Sequence, residues 1–187
     1  VHDKPWEGNT CGYHTVFQDG DRYRMYYRGS HFDAKTRKAT HPEVACYAES
    51  KDGIHWTKPA LGLFEFDGSK DNNIVWTGPG AHAFSPFLDT RPNVKPDERY
   101  KAVSPYDGSN RKPLYGYVSA DGYSWRKITE DPIITDGNFD SHNVAFWDSL
   151  REEYVCYFRA FRDGVRDIKR STSTDFIHRS EERRVGK

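Results

Sequence analysis

The chain has 187 residues with 28 basic and 28 acidic side chains, a formal charge of zero that excludes the broad basic field a nucleic-acid partner requires. No run of 18 apolar residues is present, so no membrane-spanning helix is expected. Aromatic residues make up 15% of the chain, with 15 Gly and 10 Pro and a single Met, which predicts one all-β domain of aromatic-rich strands and short turns.

In chain order, three units repeat one arrangement of parts. The first runs HTVFQDGDRYRMYYRG (14–29) and VACYAESKDGIHWTKP (44–59). Asp19-Gly20 is a hairpin signal, and Tyr23, Met25 and Tyr27 alternate with Arg22, Arg24 and Tyr26 as a strand with unlike faces requires. The insert LGLFEFDGSKDNNIVWTGPG (61–80) is read as the crossing to the second unit. That unit runs FSPFLDTRPNVKPDERYKAVSPYDG (84–108) and LYGYVSADGYSWRKI (114–128), and the third runs HNVAFWDSLREEYVCYFRAFRDG (142–164) and VRDIKRSTSTDFIH (165–178). In each, a short strand ends at an Asp, a longer strand and a third follow, and a Ser-X-Asp turn leads into a fourth. Ser50-Lys51-Asp52-Gly53 and Ser119-Ala120-Asp121-Gly122 can close such turns with their side chains, and Trp56 and Trp125 land at one place in each unit. Four antiparallel strands per unit predict propeller blades over 14–59, 84–128 and 142–178. A flat β-sandwich is the competing architecture.

PWEGN before the first strand, FQDGDRYRMYYRG, the two S-X-D-G-X-X-W turns and FDSHNVAFWD together resemble the five-bladed β-propeller glycoside hydrolases of families 32, 43, 62, 68 and 117. The chain is most similar to a bacterial family-32-like group, and the resemblance covers most of residues 5–178. It implies a fragment of about three blades out of five, acting on an oligo- or polysaccharide. It also implies three acidic residues taken from the inner strands of successive early blades, because cleaving a glycosidic bond needs one group to protonate the leaving oxygen and a carboxylate as base or nucleophile.

Such groups would stand in the segments that open the inner strands. Before the first strand, KPWEGNTCGYH offers Glu7 as its carboxylate, with Trp6 and Asn9 beside it and His14 at the strand. Before the second, GPGAHAFSP has no acid where the related enzymes carry one, and His82 is the polar candidate. Before the third, TDGNFDSHNVAF offers Asp140, His142 and Asn143, with Asp136-Gly137 read as a turn. Glu7 and Asp140 are therefore the expected catalytic carboxylates. Trp6, Asn9, His14, His82, His142 and Asn143 are the expected substrate contacts, with Arg159 and Arg162 placed for sugar hydroxyls or a substrate carboxylate. Each has a plainer structural alternative: a solvated loop acid or cap for Glu7, a turn cap for Asp140, strand-end packing for the histidines. No cofactor is required, although the three histidines hint at an axial metal ion. Carbohydrate is the expected partner, with neither nucleic acid nor a membrane span.

Three other functions compete. A sialidase-type propeller is disfavoured because Asp52-Gly53 and Asp121-Gly122 are adjacent, without the intervening residue of its Asp-box. A non-catalytic carbohydrate-binding propeller and a glycoside phosphorylase stay open. Cys11, Cys46 and Cys156 lack metal-ligand spacing, and VACYA and YVCYF predict buried free thiols for the latter two. The chain starts at Val1, which leaves the compartment open, with secretion or the periplasm favoured. Ser173 and Asp175 begin a third turn, but Arg179 stands where Trp is expected. Residues 179–187, RSEERRVGK, resemble a translated sequencing adaptor and are expected to pack against nothing specific. Without their 4 basic and 2 acidic residues, 1–178 carries 24 basic and 26 acidic, a net charge of −2.

Overall fold

The computed structural model describes residues 3–105, 113–180 and 183–184. Among them, every regular element is a strand except two single 3-10 turns, Ala81–Ala83 and Pro96–Glu98. Three antiparallel sheets follow one another along the chain. The first holds β1 (Gly12–Asp19), β2 (Arg22–Gly29), β5 (Val44–Ser50) and β6 (Trp56–Thr57), with a small hairpin of β3 (Phe32–Asp33) and β4 (Lys38–Ala39) in the β2–β5 loop. The second holds β8 (Ser85–Leu88), β9 (Tyr100–Pro105), β10 (Leu114–Ser119) and β11 (Arg126–Lys127). The third holds β12 (Val144–Asp148), β13 (Glu153–Arg162), β14 (Val165–Ser173) and β15 (Arg183–Arg184). Three successive antiparallel blades agree with the expected fold, except that the third takes its fourth strand from residues 183–184, outside the expected 142–178. The first strands β1, β8 and β12 lie side by side at the inner edge, with β8 in the middle.

Two segments depart from expectation. The 61–80 insert is more than a crossing, because β7 (Ile74–Thr77) returns to pair with β5 and widens the first blade. Its apolar residues Ile74 and Val75 are fully buried, which is the force that draws it back. The tail is not free of packing over its described part. Ser180 donates its backbone N–H to Thr172 at 2.8 Å, and β15 pairs with Lys169 and Arg170 of β14, so Ser180 and β15 lie along the outer edge of the third blade. The rest of 181–187, and residues 106–112, fall outside the described residues.

The Ser-X-Asp turns work as their chemistry predicts. Ser50 accepts the N–H groups of Asp52 and Gly53, while Asp52 accepts those of Ile54 and His55. Ser119 with Asp121, and Ser173 with Asp175, repeat the arrangement. The residue after each Asp is left-handed: Gly53 at φ 75°, Gly122 at φ 80°, and in the third copy Phe176 at φ 77°. A non-glycine residue there costs about 1–2 kcal/mol of backbone strain. Phe176 offsets it by burying its whole ring, 5.8 Å from Phe87 and 5.3 Å from Tyr154.

The core is divided into seams between blades. Tyr26, Ala45 and Tyr47 of the first blade meet Phe84, Ala102 and Tyr117 of the second, with Trp125 sealing the edge 5.2 Å from Phe84. Phe87, Val103 and Leu114 of the second meet Ala145, Tyr154, Cys156 and Phe158 of the third. Each seam also carries a buried carboxylate. Asp19 accepts from Arg24 at 2.7 Å in its own blade and from Tyr100 at 2.7 Å and Arg99 at 2.6 Å in the next. Asp89 accepts from Lys101 at 2.7 Å in its own blade and from Tyr154 at 2.6 Å in the next. Burial raises the Asp19 carboxyl, but its hydrogen bonds from Tyr100 and Arg24 outweigh that and hold it below the usual range. Cys46 and Cys156 are buried free thiols, as expected, and burial pushes Cys156 up to about 11.

Candidate functional site

The expected site residues sort into two groups, and the first is structural. Glu7 is fully enclosed. Its carboxylate accepts from the Tyr27 hydroxyl at 2.5 Å, from Lys58 Nζ at 2.7 and 2.9 Å, and from the backbone N–H groups of Asp3 and Lys4. A carboxylate so saturated and dry has no lone pair left for a substrate, and it organises the entry loop instead. Trp6 donates its indole N–H to Asn73 at 2.7 Å and sits edge-on to Phe66. Asn9 brackets Phe32, accepting its N–H and donating to its carbonyl. Gly29 lets this loop approach, since a Cβ there would run into the carbonyl of Trp6. Asn143 is buried and ties the turn before β12 by donating to the carbonyls of Phe139 and Ser141. Arg162 is exposed at the far end of β13, beside Asp163. His14 is exposed and stacks on Tyr27 at 5.6 Å, on the Glu7 side of β1.

The second group meets where the inner strands begin. Asp140, exposed before β12, forms an ion pair with Arg159 of β13. Burial raises its carboxyl, and the Arg159 guanidinium more than reverses this, holding it below the usual range and ionised at neutral pH. Its backbone carbonyl accepts from the Tyr13 hydroxyl at 3.2 Å and lies 3.3 Å from His82 Nε2. His82 Nδ1 lies 2.9 Å from Glu43 Oε2. Arg28 Nη1 is 3.1 and 3.4 Å from the two ring nitrogens of His82, near-equal distances that put the guanidinium over the ring face. Arg28 also lies 4.7 Å from the Tyr13 ring centre and 3.4 Å from Glu43. Tyr13 holds φ 53°, a left-handed conformation that a bulky residue keeps only when its surroundings enforce it. Its ring centre is 5.3 Å from that of His82 and 6.0 Å, near-parallel, from that of His142.

His142 joins the three inner strands. Its Nε2 is 3.3 Å from both Thr15 Oγ1 of β1 and Ser85 Oγ of β8, while its Nδ1 is shut off from solvent without a hydrogen-bond partner among the described residues. Burial lowers its basicity, and the nearby charge of His14 adds to this. Asp136 pairs with Lys169 at 2.5 Å at the surface, in keeping with a turn role. Among the described residues, no three His, Cys, Asp or Glu side chains are placed to hold a metal ion.

Of the expected site, His82, Asp140, His142 and Arg159 are therefore brought together, and Glu7 belongs to a separate group. Arg28, Glu43, Thr15 and Ser85 were not singled out from sequence. One signal was available for Arg28: it pairs with Gly12 at the start of β1, and Arg159 lies two residues beyond Tyr157, the partner of Val144 at the start of β12. Glu43 precedes β5 with no signature of its own.

No protein-family model matches the chain. An uncharacterized protein of Mycobacterium tuberculosis is 32% identical over 149 residues, which cover 80% of this chain and 42% of that protein. Among solved structures, an N-acetylgalactosamine deacetylase from F. plautii, in complex with blood group B trisaccharide, superposes with a TM-score of 0.63 at 14% identity, over 94% of this chain and 52% of that one. Fructan 1-exohydrolase IIa from Cichorium intybus, in complex with 1-kestose, superposes with a TM-score of 0.58 at 15% identity, over 100% of this chain and 33% of that one. The chain thus spans less than half the length of its curated relative and about a third to a half of these structures. No helix among the described residues is long and apolar enough to cross a membrane. The fold is a β-propeller, represented among the described residues by three consecutive blades.

Proposed function

We propose that the chain carries part of a carbohydrate-processing site that hydrolyses an O-glycosidic bond at the mouth of the inner strands. The observation that supports this best is the convergence of Tyr13, Arg28, Glu43, His82, Asp140 and His142 from three blades on one polar cluster. In this reading Asp140, ionised beside Arg159, is the carboxylate that draws a proton from the attacking water or attacks the anomeric carbon itself. His82 takes the place of the acid absent before the second strand. Its ring nitrogens lie against Glu43 and the Asp140 carbonyl, and His82 is the group placed to pass a proton to the leaving oxygen. Tyr13, Arg28 and Arg159 supply an aromatic face and charged donors for sugar hydroxyls. Glu7 holds the loop beneath.

A second reading is a propeller that binds carbohydrate without cleaving it. It is favoured by the sealing of Glu7 and the pairing of Asp140 with Arg159. The test is incubation of the complete protein with a panel of oligosaccharides, with and without inorganic phosphate. Release of reducing sugar in water supports hydrolysis, and a sugar phosphate formed only with phosphate points to phosphorolysis. Retained binding with no product supports the second reading, and neither binding nor turnover refutes both.

A further inference from the structure

His82 is carried by a backbone that is fixed on both sides. It is the middle residue of the 3-10 turn Ala81–Ala83, and the two alanines that flank it are buried. The turn is also tied at its start. Ala81 donates its N–H to the Gly78 carbonyl at 3.1 Å, and Ser104 of β9 donates its hydroxyl to the Gly80 carbonyl. What stays free is the side chain of His82, and three groups of the first blade bear on it. Glu43 sets both carboxylate oxygens beside Nδ1, at 2.9 and 3.1 Å. Arg28 Nη1 comes across the ring face, 3.1 and 3.4 Å from the two nitrogens, and the Tyr13 ring centre is 5.3 Å away. Arg28 is itself held, donating to the Thr10 carbonyl at 2.8 Å and lying 3.4 Å from Glu43.

A neutral imidazole has one N–H and one lone pair, so it donates to only one of two acceptors set against its two nitrogens. Here the Glu43 carboxylate, 2.9 Å from Nδ1, competes with the Asp140 backbone carbonyl, 3.3 Å from Nε2. A hydrogen bond to a charged oxygen is about twice as strong as one to a neutral oxygen, and the shorter contact belongs to the same partner. Arg28 does not compete for Nδ1, because the ring lone pairs lie in the ring plane and not over its face.

We propose that Glu43 is the positioning residue for His82: it accepts from Nδ1–H, fixes that tautomer and the ring orientation, and leaves Nε2 as the nitrogen that handles the transferable proton. This rests on the hydrolysis proposed for the same site. There, a proton on Nε2 passes to the leaving oxygen, which keeps the electron pair of the broken glycosidic bond. The ring returns to its neutral form with Nδ1–H still on Glu43, and solvent restores the Nε2 proton for the next turnover. Without Glu43 the Asp140 carbonyl is the better acceptor. The neutral ring then holds its proton on Nε2, and its lone pair sits on Nδ1, at the vacated Glu43 position.

Nitrogen NMR of the His82 ring in the complete protein, at alkaline pH and without ligand, reads the tautomer directly, with His82→Gln to assign the signals. The expected result is a proton on Nδ1 in the parent protein and a population moved toward Nε2–H in Glu43→Ala. Glu43→Gln keeps the volume and an acceptor oxygen but no charge. It should fall between the two, and it supplies the reading if Glu43→Ala does not fold. A parent ring with its proton on Nε2, or a tautomer that ignores Glu43, would overturn the proposal. Turnover is the second arm. On a substrate the complete protein hydrolyses, Glu43→Ala should lower kcat at least about tenfold while KM moves by less than about threefold. In a His82→Gln background the same change should lower kcat no further, because a positioning residue acts only through the side chain it holds. Equal losses in both backgrounds would make Glu43 structural and overturn the proposal. The arms also separate this inference from the reading it rests on. A protein that hydrolyses nothing but keeps Nδ1–H against Glu43 supports the hold on the ring and refutes hydrolysis alone. Turnover with a tautomer that ignores Glu43 refutes the role of Glu43 alone.

Discussion

The hydroxyl of Tyr27 donates to the carboxylate of Glu7 at 2.5 Å, inside the first blade and out of reach of solvent. With Lys58 on the other side, it turns the acid nearest the first inner strand into an anchor for the entry loop. Glu7→Gln keeps the shape but removes the charge that Lys58 and two backbone N–H groups point to. A destabilisation of about 2–4 kcal/mol is expected in chemical denaturation, as for one partner removed from a buried pair. Tyr27→Phe should cost less, about 1–2 kcal/mol. A Glu7→Gln protein of unchanged stability with abolished turnover would instead return Glu7 to the catalytic site.

Asp140 should behave in the opposite way. It is exposed and its ion pair with Arg159 is solvated, so Asp140→Asn should change stability by no more than about 1 kcal/mol. If the proposed chemistry holds, the same variant should lower kcat by at least about a hundredfold on any substrate the complete protein turns over. Direct measurement of both quantities on one preparation separates this from a structural role.

Arg179 stands where a Trp is expected from the earlier repeats, 5.3 Å from the Phe176 ring. Its three guanidinium nitrogens are shut off from solvent with no hydrogen-bond partner among the described residues, and burial lowers its basicity. Arg179→Trp should therefore stabilise the chain by about 1–3 kcal/mol, by removing an unpaired buried charge and filling the site with an aromatic ring. Thermal unfolding reads the result, and a lowered midpoint would contradict the expectation that Trp belongs at this position.

The seam carboxylate sets an acid limit. Asp19 is held below the usual range in the folded chain, so its contribution is fully present above the unfolded value near pH 4 and is lost as pH falls through the lower folded value. Stability should drop across that window. Asp19→Asn should be less stable at neutral pH by about 3–5 kcal/mol, since Arg24 and Arg99 lose their partner, and should show a shallower acid dependence. Parallel acid profiles of the two proteins would refute this.

His142 provides the complementary measurement. Burial and the charge of His14 hold its folded value below the ordinary histidine range, so protonation is favoured in the unfolded chain. Stability tied to neutral His142 is present above about pH 6.5 and erodes as pH falls below it. Proton NMR should place its titration below that of an exposed histidine, and His14→Ala should move it up.

Much of this was legible in the linear pattern. The Ser-X-Asp turns work through contacts two or three residues away, so Ser50 with Asp52 and Ser119 with Asp121 could be read directly, and the blade boundaries followed from them. Aromatic strands alternating with such turns called for antiparallel sheets, and left propeller blades or a flat β-sandwich as the ways to pack them. The failures lie where a side chain's environment comes from distant segments. Glu7 reads as a loop acid beside a strand, and nothing nearby reveals that Tyr27 and Lys58, 20 and 51 residues away, will enclose it. Glu43 lacks any motif, yet it meets His82 from 39 residues away because both precede strands that start at the same end of their blades. The sequence by itself determined the repeat, the turns and the identity of the polar residues at the strand ends, because those depend on local backbone chemistry. Only the tertiary structure decided which of those carboxylates are sealed and which stay open, because desolvation and charge pairing are properties of the surrounding blades and not of the residue.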